Sequence, residues 1–307
     1  RLTPEKMQQQ LADVVSNFNQ LIETYGEPEY KEKWKVSIQD SSVTFGSAKD
    51  RWAINVDLMK EKGLTFKDVI DAYQNDNVSD LVEKAPLAEA ILGMVVKHHP
   101  PPHVAVKYRI PKIWKGDLDS DIGKALLACS DDGPTIMMVV NMVLDPAAGP
   151  VAIGRLFSGT VKDGQTINII DEKREGRIQS VNFFMGNIRE QVGELGAGNI
   201  PALLGLTECR AGNTLSSIKG IQMFEGVKYV SEPVVQIAIE PKHPKDLPKL
   251  VDFLKQLTIE DPNLIVKIDQ ESGETIIAGM GVLHLDVAVH RIQDAKLEII
   301  TSEPLIN

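Results

Sequence analysis

The sequence has 307 residues, 43% of them hydrophobic and 25% charged, with a formal net charge of −10. That length exceeds one ordinary core, so two or three domains are expected, and the residue mix is that of a water-soluble globular chain. No apolar run reaches the roughly 18 residues a membrane helix needs, and the acidic balance argues against a protein that wraps nucleic acid without discrimination.

The opening residues are polar and charged, without a signal-peptide pattern. Cys129 and Cys209 stand far apart in apolar, strand-like surroundings with no ligand or disulfide spacing. Two reduced thiols and a cytoplasmic location are therefore expected. Position 1 is Arg, and Asn307 directly follows a strand-like run, so an internal piece of a longer protein is expected.

Thr3-Pro4-Glu5 reads as a helix start, followed by Leu11, Val14, Val15, Phe18, Leu21 and Ile22 at helical spacing. Two strands are expected at Val36–Ile38 and Val43–Phe45, with a turn at Asp40-Ser41-Ser42 between them. Helices are expected at Phe66–Tyr73 and Leu87–Val96. The His-His-Pro-Pro-Pro run from His98 to Pro102 reads as a stiff extended linker.

From Lys124 to Val230 short apolar runs recur every 8–12 residues, broken by Gly, Asp and Asn; examples are Thr135–Leu144, Val151–Phe157, Gln165–Ile170 and Gly176–Phe184. This pattern predicts a small antiparallel β-barrel. Beyond Glu232 the order is strand (Val234–Ile239), helix (Lys245–Thr258), two strands (Ile265–Asp269, Thr275–Ala278), helix (Gly281–Ile292) and strand (Lys296–Thr301). That is a split β-α-β-β-α-β unit of the ferredoxin-like kind. Three modules are expected, at 1–103, 104–229 and 230–307.

Six stretches carry the functional reading. Gly46-Ser47-Ala48-Lys49 closes a short strand with small residues, which lets backbone N–H groups approach a purine carbonyl. Gly154-Arg155-Leu156-Phe157-Ser158-Gly159-Thr160-Val161-Lys162-Asp163-Gly164 follows a Gly-Arg-x-x-Ser-Gly-x-x-x-x-Gly pattern. Downstream stand Ala197-Gly198-Asn199-Ile200, Gly205-Leu206 and Ala211-Gly212-Asn213-Thr214-Leu215. The last stretch is Gly279-Met280-Gly281-Val282-Leu283-His284-Leu285-Asp286.

In this order the stretches resemble translational GTPases of the elongation factor G and elongation factor 2 type. Met94–Pro100 and Lys107–Pro111 are similar to the archaeal and eukaryotic branch, and the shortness of the chain favours the archaeal one. Val282 and Asp286 depart from the family's Glu at both places. The resemblance implies a multidomain chain: a partial P-loop-type α/β G domain, an antiparallel β-barrel and a ferredoxin-like α+β domain. It implies a GTPase that moves tRNA and mRNA on the ribosome, using GTP/GDP with Mg, with Gly46, Ser47, Ala48 and Lys49 at the guanine base. Ribosomal RNA and ribosomal proteins are the implied partners.

The chain has no Gly-x-x-x-x-Gly-Lys-Ser/Thr loop, and no Asp-x-x-Gly segment precedes its first helix. Asn-Lys-x-Asp is absent too, so tight nucleotide binding and catalysis by the 307 residues alone are not expected. The piece is expected to be monomeric. A related ribosome-biogenesis or spliceosomal GTPase, or a nucleotide-free RNA-binding scaffold, are the alternatives.

Lys97, Lys107, Arg109, Lys112 and Lys115 cluster without an acidic residue between them, with Tyr108 and Trp114 interleaved, and could meet ribosomal RNA phosphates. Arg155 and Lys162 could do the same, or Arg155 could brace the barrel through an internal ion pair. His98, His99 and His103 lack ligand spacing and read as solvated linker residues. Asp131, Asp132, Glu271 and Glu274 read as solvated turn residues. His284 reads as a packing or capping residue.

Overall fold

The computed structural model describes residues 4–145, 148–186, 188–226, 233–268 and 275–306. It divides into two compact units, Arg1–Pro100 and Pro101–Asn307.

The first unit holds helices α1 (Pro4–Tyr25) and α2 (Lys31–Trp34) and a hairpin of β1 (Phe45–Ser47) and β2 (Trp52–Ile54). Helices α3 (Val56–Lys62), α4 (Phe66–Gln74), α5 (Val78–Lys84) and α6 (Leu87–His98) follow. Local chemistry sets their ends. Asn55 caps α3 by accepting from Leu58 N, and Gly63 closes it in the left-handed region. Thr65 and Asp68 form a reciprocal capping box on α4.

The core of this unit gathers Trp52, Ala53 and Ile54 with Leu58, Leu64, Leu81, Ala85 and Ala90. The expected first helix is present, but Val14, Phe18 and Leu21 on it remain 65%, 45% and 55% exposed, so its apolar stripe is not covered. Val36–Ile38 is not a strand. Asn19 takes both backbone groups of Val36, accepting from its N–H at 2.8 Å and donating to its carbonyl at 2.9 Å, which leaves nothing for a ladder.

In the second unit, the stretch expected as linker gives way to helix α7 (Pro102–Ile113), followed by α8 (Asp121–Ala128). Pro102 sits in the first turn, where its missing N–H costs nothing. Val106, Ile110 and Trp114 fall one helical turn apart and are buried with Leu126, Ile136, Met138, Phe157, Ile221 and Phe224. Only residues 99–101 lie outside both helices. Helical structure thus reaches Ala128, inside the region expected to hold strands alone.

Strands β3 (Ile136–Asp145), β4 (Gly149–Ser158), β5 (Thr160–Lys162), β6 (Thr166–Ile169), β7 (Arg174–Arg177) and β8 (Ser180–Met185) come next. Then follow β9 (Ile188–Gln191), β10 (Glu194–Gly196), β11 (Ala202–Leu204) and β12 (Thr214–Ser216). Eight of them form one sheet in the order β7-β6-β12-β3-β4-β11-β8-β9, and β5 pairs with β10. The Gly176–Phe184 run, expected as one strand, is split because β7 pairs with β6 whereas β8 lies between β11 and β9. Met137, Val139, Leu156, Ile167, Val181, Leu203 and Leu215 fill its interior. The register of β3 slips between Val139 and Asn141, leaving Val140 48% exposed.

The second sheet is built from β13 (Val235–Pro241), β14 (Ile265–Ile268), β15 (Thr275–Gly279), β16 (Ile299–Thr301) and β17 (Leu305–Ile306). Helix α9 (Leu247–Glu260) precedes β14, and α10 (Val282–Asp294) follows β15. The antiparallel order is β14-β15-β13-β16, and β17 also pairs with β13. Val235, Ile237 and Ile239 alternate onto the face covered by Leu250, Leu254 and Leu257 of α9 and Leu285, Ala288 and Ile292 of α10.

The two cores of this unit meet at the end of α9. Ile259 packs against the interior of the eight-stranded sheet. Glu260 accepts from Leu144 N at 2.7 Å on β3 and from the Arg291 guanidinium on α10.

Candidate functional site

Gly46, Ser47, Ala48 and Lys49 lie at the end of β1 and in the turn to β2. Gly46 faces Ala53 across the hairpin. A Cβ on Gly46 would stand 2.5 Å from Trp52 O and 2.7 Å from the Ala53 methyl, so the tightness of the hairpin requires glycine. Ala48 and Lys49 are exposed. Among the described residues, neither of their backbone N–H groups meets an acceptor in the chain.

A hydrogen-bonded relay holds this turn from one side. Ser47 Oγ donates to Asp50 Oδ2 at 2.8 Å and accepts from Asp50 N at 3.2 Å. The Tyr73 hydroxyl donates to the same Oδ2 and accepts from Trp52 Nε1 at 3.0 Å. Trp52 is 8% exposed, and its ring meets that of Tyr73 edge-on with centroids 6.2 Å apart. The Tyr73 and Ser47 hydroxyls hold the Asp50 carboxyl below its ordinary pKa by bonding to its charged form. Arg51 turns the corner with φ +59°.

Sequence reading missed Asp50, Trp52 and Tyr73. Asp50, three residues after a Ser, carries a local turn signal. Tyr73, on a helix 23 residues further along, carries none. On another side the turn borders an open hollow of about 510 Å³, lined by Gly46, Ala48, Phe18, Val43, Leu87 and Ile91 among other apolar side chains.

The basic residues of this stretch have different surroundings. Lys97 ends α6 and pairs with Asp57 at 2.5 Å, while Lys115 lies 3.6 Å from Glu225. Lys107, Arg109 and Lys112 are exposed on α7. Trp114 cannot stack on a base: it is 3% exposed, and its Nε1 donates to Gln222 O at 2.7 Å. His103 is exposed in the first turn of α7, and His98 Nε2 lies 3.1 Å from Asp40 O.

Arg155 does brace the sheet, through the Gly198 carbonyl rather than an ion pair. Lys162 pairs with Glu194 at 2.9 Å. Asp131 is exposed in a turn, as expected, and also staples two loops. Its carboxylate accepts from Ala197 N at 2.7 Å and its carbonyl from Thr160 Oγ1 at 3.1 Å. Glu271 and Glu274 lie outside the described residues. Among the described residues no three His, Cys, Asp or Glu side chains converge as metal ligands, and no helix is long and apolar enough to cross a membrane.

His284 explains its own neighbourhood. Its Nδ1 accepts from Met280 N at 3.0 Å, which puts the ring proton on Nε2, 2.7 Å from Asp261 Oδ2 at the end of α9. A Cβ on Gly279 would come within 2.7 Å of Nδ1, so the ring and the glycine require each other. Val282, at the family's Glu position, is 47% exposed. Both cysteines are free. Burial pushes the Cys209 thiol up to about 12 and also raises that of Cys129.

Comparison with known proteins covers the chain from end to end. The model of elongation factor G domain 2 matches residues 134–218, the stretch that forms most of the eight-stranded sheet. That of elongation factor G domain III matches residues 230–303, which carry the second sheet and its two helices. Elongation factor 2 of Cenarchaeum symbiosum is 83% identical over all 307 residues. Those of Thermococcus kodakarensis and Sulfurisphaera tokodaii are 48% and 46% identical, again over the whole chain. The chain spans 42%, 42% and 43% of these three relatives. With matches of 46% to 83% identity that span the whole chain, the chain belongs to the elongation factor 2 family of the archaea.

Proposed function

We propose that the protein to which this chain belongs is a ribosomal translocase, a GTPase that uses GTP hydrolysis to move tRNA and mRNA during elongation. The observation that carries this reading is the 83% identity to an elongation factor 2 over the full 307 residues. A ribosome-biogenesis homologue has no comparable support. The ribosome is the partner this reading requires, and the cytoplasm the place where it works.

Within that protein, residues 1–103 are the remainder of a P-loop-type G domain, 104–229 a β-barrel and 230–307 a ferredoxin-like domain. The uncovered stripe on α1 and the hollow beside β1 suit a unit whose remaining strands lie elsewhere in the protein. The antiparallel order of the eight-stranded sheet around one apolar interior, with the separate β5–β10 pair beside it, suits a barrel. The strand order of the second sheet suits the ferredoxin-like arrangement.

Gly46, Ser47, Ala48 and Lys49 hold the guanine base through the two free N–H groups of the turn, which fit a carbonyl acceptor in the base plane. No residue set present fits the phosphates or Mg, because the chain has no Gly-x-x-x-x-Gly-Lys-Ser/Thr loop. When bound, GTP with Mg supplies the bond whose hydrolysis drives the motion; this chain contributes the base contact alone. Calorimetry of the 307-residue chain with GTP should therefore show no tight binding. A dissociation constant of about 1 µM or below, some 8 kcal/mol of binding energy, would contradict it.

A further inference from the structure

We propose that Asp50, Tyr73 and Trp52 are positioning residues for base recognition: a relay from the buried Trp52 indole to Ser47 presets the turn whose N–H groups read the base carbonyl. This inference rests on the reading of the Ser47–Ala48 turn given above. The relay converges on the Asp50 carboxylate from both sides. Trp52 Nε1–H donates to the Tyr73 oxygen, Tyr73 O–H donates to Asp50, and Asp50 Oδ2 receives the Ser47 hydroxyl as well. Such a chain polarises along its length.

Its buried end cannot wander. Trp52 is fixed by core packing and by its place in the hairpin, where it pairs with Ser47. Its far end pins residue 47, next to the exposed N–H groups of Ala48 and Lys49. Asp50 therefore acts as a strut. It ties the turn to α4, an element that contributes no residue to the proposed base contact. A turn held in this way loses less freedom when a ligand binds, and preorganisation of that kind is read as affinity.

The test uses the full-length protein and two probes, GDP and the diphosphate of 2-aminopurine riboside. The second probe keeps the phosphates and the 2-amino group but lacks the 6-oxo acceptor. Because that probe also lacks the N1–H of guanine, the change in the ratio of their dissociation constants when the relay is altered, not the ratio itself, reports what the turn reads. In the unaltered protein, GDP should bind more tightly.

Tyr73→Phe keeps the ring against Trp52 and removes only the hydroxyl, and Asp50→Ala removes the strut. Each should weaken GDP binding about five- to tenfold, the scale of one or two hydrogen bonds. Each should leave the 2-aminopurine nucleotide within about twofold; Asp50→Ala should keep the melting temperature, and Tyr73→Phe should lower it slightly because the Trp52 indole N–H loses its acceptor. Asp50→Asn keeps an acceptor oxygen for both hydroxyls and should restore most of the ratio.

If the unaltered protein binds both probes equally, the turn does not read the carbonyl and the underlying site assignment falls. If the unaltered protein discriminates but Tyr73→Phe and Asp50→Ala keep the full ratio, the site stands and the relay is refuted. Equal loss of both ligands with a lowered melting temperature would also refute it, by making the relay a stabilising contact only.

Discussion

At the scale of single residues, two side chains carry expectations that differ in kind. Gly279→Ala forces a methyl to within 2.7 Å of His284 Nδ1 and 3.0 Å of Leu285, so the ring must leave both Met280 N and Asp261. Overpacking of that sort should cost about 1–3 kcal/mol in urea unfolding. The same change made in a His284→Ala background should cost clearly less, because the collision partner is gone. An equal cost in both backgrounds would separate the glycine from the histidine. Cys209, 1% exposed and with its thiol raised to about 12, should stay unmodified by iodoacetamide at pH 8, where the more open Cys129 reacts slowly. Mass spectrometry before and after denaturation decides this. Early modification of Cys209 in the native chain would mean that its part of the core opens readily.

At the scale of elements, α7 shows what sequence patterns can and cannot carry. Its inward face should be structural. Ile110 is wholly buried, and Ile110→Ala should cost about 2–5 kcal/mol. Its outward Lys107, Arg109 and Lys112 are expected to be neutral for stability, and their joint change to Ala should leave the melting temperature in place. In the full-length protein the slope of log ribosome affinity against log salt should then flatten by roughly 0.7–0.9 for each phosphate that is no longer neutralised. An unchanged slope would take α7 out of the interface.

The helix was illegible because six prolines and histidines precede its first buried residue and Pro111 interrupts its last turn. Local rules read both features as helix-breaking, whereas the burial of Val106, Ile110 and Trp114 decides the matter. Strands β3, β4 and β6 were legible for the opposite reason, since each is a short apolar run bounded by turn residues. Val36–Ile38 misled because its β-branched pattern says nothing of Asn19, seventeen residues away, which claims its backbone. The same limit hid Tyr73 from the candidate site, while Ser47 and Ala48 entered it through the family resemblance.

At the scale of the whole molecule, the second unit is two cores joined at one helix end, where Glu260 and Ile259 tie α9 to the eight-stranded sheet and Glu260 ties α9 to α10. The measurement that bears most directly on the proposed translocase is made with the full-length protein on archaeal ribosomes carrying tRNA and mRNA. GTP hydrolysis and mRNA position, read by reverse-transcription stops, are followed together. Ribosomes should stimulate hydrolysis, and the mRNA should advance only when protein and GTP are both present. Hydrolysis that ignores ribosomes, or mRNA that stays in place while GTP is consumed, would contradict the account.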